Sequence, residues 1–156
     1  MRVLICAVGR MRAGPEADLV SDYLKRFDNT GRPLGLGPAT VHEVEDRKKR
    51  GAQAESALLL EAAPIGAALA ALDERGKPLS SRAFAAFLED QRDQGCRDLA
   101  FLIGGADGHH QELREKADRL ISFGPMVWPH MLARVMLAEQ LYRAASILAG
   151  APYHRD

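Results

Sequence analysis

The sequence predicts an α/β domain, a mostly parallel sheet with helices on both faces. Three observations carry that prediction. Val3 to Val8 is a continuous apolar run ending at Gly9, the pattern of a strand buried on both sides. Leu99 to Ile103 is a second such run, and it passes straight into Gly104-Gly105-Ala106-Asp107-Gly108. Around these two, strand-like runs alternate with segments of helical spacing, the order that a parallel sheet requires. No repeat, low-complexity stretch or linker divides residues 1–156, and 156 residues suffice for one domain with a real core.

The elements follow in order. After the first strand, Glu16 to Phe27 is predicted as a helix, because Leu19, Val20, Tyr23, Leu24 and Phe27 recur at three- and four-residue spacing. Gly31 to Pro38, rich in glycine and proline, reads as a loop, and Ala39 to Val44 as a weaker strand. Gln53 to Ala62 is a second helix, broken by Pro64 and Gly66. Ala67 to Leu72 is a third strand, and Asp73 to Pro78 a polar turn. Ser80 or Ser81 caps a helix with Phe84, Phe87 and Leu88 on its inner stripe, ended by Gln94-Gly95. A short helix, His110 to Ala117, leads to a strand at Arg119 to Phe123. The last helix has Pro129 in its first turn and Gly150 and Pro152 at its end. Leu132, Val135, Met136, Leu137, Leu141, Ala144, Ala145 and Leu148 cover most of its circumference. A helix so apolar needs two covers: the sheet and a second copy of the chain, or a central place in a monomer's core.

Composition excludes some functions. Apolar residues make 47% of the chain, and 21 basic side chains balance 21 acidic ones, so no whole-protein basic field grips nucleic acid. Any such grip is local. Cys6 and Cys96 belong to no metal-spaced cluster and read as reduced, buried thiols in a cytoplasmic protein. The five histidines form no metal-binding spacing. Neither a signal sequence nor a membrane span is predicted.

Four places carry candidate chemistry. Gly104-Gly105-x-x-Gly108 lies at the carboxyl end of a predicted strand, where open α/β sheets bind ligands, though its spacing alone is also that of a plain strand-to-helix turn. The spacing from Gly9 to Gly14 matches a phosphate loop, but Pro15 replaces its lysine. Arg47-Lys48-Lys49-Arg50 is the one dense basic run, either a solvated helix start or a contact for a polyanion. Tyr153-His154-Arg155 is either a frayed tail or a set suited to stacking on bases and touching phosphate. Glu139 and Arg143 have the order and spacing of a helical surface pair, with Arg143 also placed to reach toward the tail or a partner's groove, and His109-His110 suits a turn cap.

Several motifs occur together in order and spacing: Leu72-Asp73-x-x-Gly76-Lys77, Ser80-Ser81-x-x-Phe84 and Phe101-x-Ile103-Gly104-Gly105-x-x-Gly108. Pro129-His130-x-x-x-Arg134-Val135, Glu139-Gln140-x-Tyr142-Arg143-Ala144 and Pro152-Tyr153-His154 follow them. In these the chain resembles, over essentially its whole length, the RlmH-type ribosomal large-subunit RNA methyltransferases of the SPOUT superfamily. The resemblance implies a deep trefoil knot at the carboxyl end and a homodimer. It implies S-adenosylmethionine as cofactor, held by loops at Leu72, at Gly104 and Gly105, and across Phe123, Gly124, Pro125, Met126, Val127 and Trp128. It further implies methylation of N3 of a pseudouridine in 23S rRNA within the assembled ribosome, without metal or membrane. Arg143, His154 and Tyr153 are the catalytic candidates. Tyr153, His154 and Arg155, with Arg47, Lys48, Lys49 and Arg50, are the RNA-binding candidates. The family often carries Ser-Leu-Ser and a threonine in the last loop; here it reads Ser122-Phe123-Gly124-Pro125-Met126-Val127-Trp128. The alternative is an inactive dimeric RNA-binding protein of the same fold.

Overall fold

The structure, a computed structural model, describes residues 1–155; Asp156, the end of the predicted 1–156 domain, lies outside the described residues. It opens with β1 (Arg2–Val8), α1 (Pro15–Gly31), a 3-10 turn at Arg32–Leu34 and β2 (Ala39–Val44). There follow α2 (Ala52–Ala62), β3 (Ala68–Pro78), α3 (Ser81–Asp93) and β4 (Asp98–Ile103), then α4 (Gln111–Lys116), β5 (Arg119–Ser122) and α5 (His130–Leu148). The five strands form one sheet in the order β2-β1-β4-β3-β5, with every neighbouring pair parallel. No helix among the described residues is long and apolar enough to cross a membrane.

Strand periodicity explains why the two central strands are apolar throughout. Successive side chains point to opposite faces. Val3, Ile5 and Ala7 of β1, with Leu99, Phe101 and Ile103 of β4, meet one apolar layer that includes Val20, Leu24 and Phe27 of α1, Phe84 and Leu88 of α3, and Leu137 and Leu141 of α5. Leu4, Cys6 and Val8, with Ala100 and Leu102, meet Leu59 of α2 and Leu113 of α4 on the other face. The sheet is thus covered on both sides, as the sequence predicts.

Several boundaries depart from the prediction. Asp73 to Pro78 is not a free turn but the second half of β3. Leu72 and Lys77 are both opposite Ile121, so the register shifts between them and the strand rejoins β5 at Lys77 and Pro78. Gly76 makes this possible: a Cβ there would stand 2.6 Å from main-chain atoms of Leu120 and Ile121. Helix α1 runs on to Gly31, which packs against Leu36. Ser80 caps α3, accepting from the Ala83 amide at 3.1 Å, and His110 caps α4 instead of starting it. Pro129 is likewise the cap of α5, one position before the predicted first turn. Cys6 is buried, whereas Cys96 is only half-buried; its thiol donates to the Asp98 carbonyl at 3.1 Å.

Candidate functional site

The carboxyl ends of β3, β4 and β5 converge, and the segments leaving them enclose a cleft of about 320 Å³. Leu72 to Arg75 form one wall, Gly105 to Gly108 a second, and Ile121 to Gly124 with Met126, Val127 and Trp128 a third. The charged groups lining it are Asp73, Glu74 and Asp107 against Arg75. The third wall is stiffened from within. Ser122 Oγ accepts from the Gly124 amide at 3.1 Å, and the Trp128 indole points at the Phe123 carbonyl at 3.4 Å. Its outer side is exposed, Val127 almost completely at 93%.

The glycine wall is supported from behind by α2 and α4. Ser56 Oγ accepts from the His110 amide at 2.9 Å. The Glu55 carboxylate lies so close to Gly105 that a Cβ there would be 2.8 Å from Oε2. Burial raises the Glu55 carboxyl above its ordinary range, with the charges of Asp107 and Asp46 acting in the same direction. Arg114 donates to the His109 carbonyl.

Arg134, in the second turn of α5, is the largest fully buried side chain, at 1% exposure. Its Nη2 donates to the carbonyls of Val8 and Gly9, each at 2.6 Å, and its Nη1 to Glu43 at 2.9 Å. It fastens the start of α5, and with it the third wall, to the ends of β1 and β2. Burial lowers its pKa, opposed by Glu43.

The tail folds back onto α5. Tyr153 donates to Glu139 Oε1 at 3.0 Å, and Arg143 Nε donates to the same oxygen at 2.9 Å. The Arg143 guanidinium lies 4.8 Å from the Tyr153 ring centre and its Nη1 3.3 Å from His154 Nδ1. The Tyr142 and Tyr153 rings meet with centres 4.5 Å apart and planes tilted by 50°. Burial first, then Glu139, pushes the Tyr153 phenol well above its usual value, while Glu139 raises Arg143. Arg143 thus reaches the tail, one of the two directions its spacing allows, and Glu139, predicted as a surface contact, is part of a half-buried anchor because an aromatic and an imidazole cover the pair.

Of the residues predicted for the cofactor, Leu72, Gly105, Phe123, Gly124, Met126, Val127 and Trp128 line the cleft; Gly104 and Pro125 flank it. Arg143, Tyr153 and His154 come together, yet none lines the cleft of their own chain. Arg47 to Arg50 form an exposed loop before α2, not a helix start. Asp46 accepts from the amides of Arg50 and Gly51 and pairs with the Arg50 side chain at 3.2 Å, closing the loop on itself, and Lys49 takes a φ of +50°, outside the right-handed helical range. Arg47 faces Arg10, Glu43 and Glu45, while Lys48 and Lys49 are exposed. Sequence reading missed Glu55, the burial of His109 and the anchoring by Arg134. Their partners are distant in the chain, so no local spacing points to them.

A family model described as "Predicted SPOUT methyltransferase" matches residues 1–154. The chain is 67% identical to Ribosomal RNA large subunit methyltransferase H of Dinoroseobacter shibae, over 99% of each chain. It is 66% identical to the protein of the same name from Ruegeria pomeroyi, again over 99% of each. Among solved structures it is similar to a probable methyltransferase from Bordetella pertussis Tohama I, at 18% identity and a TM-score of 0.49, covering 92% of this chain and 96% of that one. A match running unbroken from β1 to the docked tail leaves no part of the fold outside it, and the chain belongs to the SPOUT methyltransferases.

Proposed function

We propose that this protein transfers a methyl group from S-adenosylmethionine to N3 of a pseudouridine in 23S rRNA, acting on the assembled ribosome as a cytoplasmic homodimer. The observation that carries the reading is the 67% identity over 99% of a large-subunit rRNA methyltransferase. The cleft fits the donor in chemistry. Three acidic residues against one basic residue favour a cation, and its volume lies at the lower end of ligand pockets, roughly 300–1,000 Å³. Leu72, Gly105 and the Phe123–Trp128 wall would hold the donor. When bound, it supplies a methyl group on a positively charged sulfur.

The chain's own residues prepare the acceptor. Pseudouridine N3 must lose a proton, so the developing negative charge needs a fixed cation. Arg143, held by Glu139 and kept protonated by it, offers one beside His154. His154, whose Nδ1 accepts from Arg143 in the free chain, would take the proton at that nitrogen once the Arg143 contact passes to the substrate base. Tyr153 is a donor rather than a base, since its phenol stays protonated.

Two features support the dimer. A groove of about 500 Å³ opens between α1, α3 and α5, lined by Leu19, Tyr23, Phe84, Val135 and Met136, so an apolar part of α5 is left for a partner subunit. The tail cluster also lies away from its own cleft, which fits a site completed across two subunits. The close approach of Gly76 to β5, just before the chain turns into α5, fits the knotted ending expected of the family.

Mass mapping of 23S rRNA from a strain lacking this protein tests the reading. A single N3-methylpseudouridine should disappear and return when the native chain is restored. An unchanged methylation map would refute it.

A further inference from the structure

His109 follows the glycine wall, yet it is not exposed like a turn residue. It is 4% exposed. Nε2 lies 3.2 Å from the Leu102 carbonyl near the end of β4. Cε1 would be 3.3 Å from a Cβ on Gly104, so the ring rests against the main chain that leads into the cleft. Nδ1 has no hydrogen-bond partner. A leucine would fill this space without leaving a buried polar atom unpaired, so the imidazole calls for a reason.

We propose that His109 is a positioning residue for the methyl donor: as a neutral ring bonded to the end of β4 it holds the Gly104 main chain in place, and it releases that hold on taking up a proton. This rests on the cofactor reading above. A neutral imidazole donates from one nitrogen, here Nε2 to β4. A second proton would place a donor on Nδ1, which has no partner to accept it. It would also add a positive charge beneath a cleft that receives a sulfonium. Burial favours the neutral ring and lowers its pKa; the charged groups facing it most strongly are Asp73 from β3, which opposes that shift, and Arg114 from α4, which adds to it. Donor affinity therefore falls as pH drops through the range where the ring protonates.

The test is calorimetry of S-adenosylmethionine and S-adenosylhomocysteine with the full chain, from about pH 8 to about pH 4.5, a span that reaches below histidine's ordinary value because burial lowers it. Native affinity for S-adenosylmethionine should fall roughly three- to tenfold, equivalent to half to one pKa unit of linkage, with a smaller fall for the homocysteine product. His109→Gln, which can still donate to Leu102, should keep the neutral-pH affinity and lose the pH dependence. His109→Leu should bind weakly at every pH, with unchanged Tm as the folding control. Reciprocally, saturating donor should depress the His109 titration followed by NMR in the native chain. Donor binding that is pH-independent, a slope that survives in His109→Gln, or a His109 titration unmoved by the donor would overturn this inference alone. No heat of donor binding at any pH would overturn the cofactor reading and this inference with it.

Discussion

Tyr153 shows how a single hydroxyl can hold a chain end. Its bond to Glu139 fixes the tail beside Arg143. Tyr153→Phe should cost about 1 kcal/mol of stability but reduce methyl transfer much more, with faster amide exchange across Ala151–Arg155. Normal exchange there would contradict the anchoring role. Gly76 is the opposite case, a residue defined by lacking a side chain. Gly76→Ala puts a Cβ 2.6 Å from β5 main chain that cannot swing aside. It should lose at least about 1–3 kcal/mol in urea denaturation. The cysteines differ by burial: Cys6 has its thiol pushed up to about 11, while Cys96 is half-exposed. A thiol reagent should label Cys96 in the native protein and Cys6 after unfolding.

At the scale of elements, legibility in the sequence followed locality. β1 and β4 were readable because complete burial leaves an unbroken apolar run. The Ser80 cap was readable because its partner is three residues away. The second half of β3 was not, since Asp73-Glu74-Arg75-Gly76 has the composition of a turn and is extended because β5 pairs with its far end. The cleft walls were legible by resemblance, and their supports were not. Glu55 meets Gly105 across fifty residues, and Arg134 meets Val8 across 126. Arg134 is the clearest test of how α5 is attached. Arg134→Met keeps the bulk but strands Glu43 and two carbonyls. It should cost about 3 kcal/mol, the low end for breaking a buried pair because Glu43 stays partly wet. Donor affinity should fall alongside, as the third wall loses its mooring.

For the whole molecule, neutrality and pH response follow from where the charges lie. Binding to RNA should weaken with salt, and Lys48→Ala with Lys49→Ala should lower the salt slope by about 1–2. An unchanged slope would remove that loop from the interface. His109 and His130 both have pKa values lowered by burial. The unfolded chain therefore binds their protons first as pH falls below about 6.5, and thermal stability should rise with pH from about 5 to 7. His109→Gln with His130→Gln should flatten that rise. The order of the elements has a further consequence. Arg134 and the outer part of the third wall, Met126 to Trp128, follow the last of the five strands in the chain. The sheet can therefore pair all its strands before the segment that closes the cleft exists, which separates folding of the sheet from closing of the cleft.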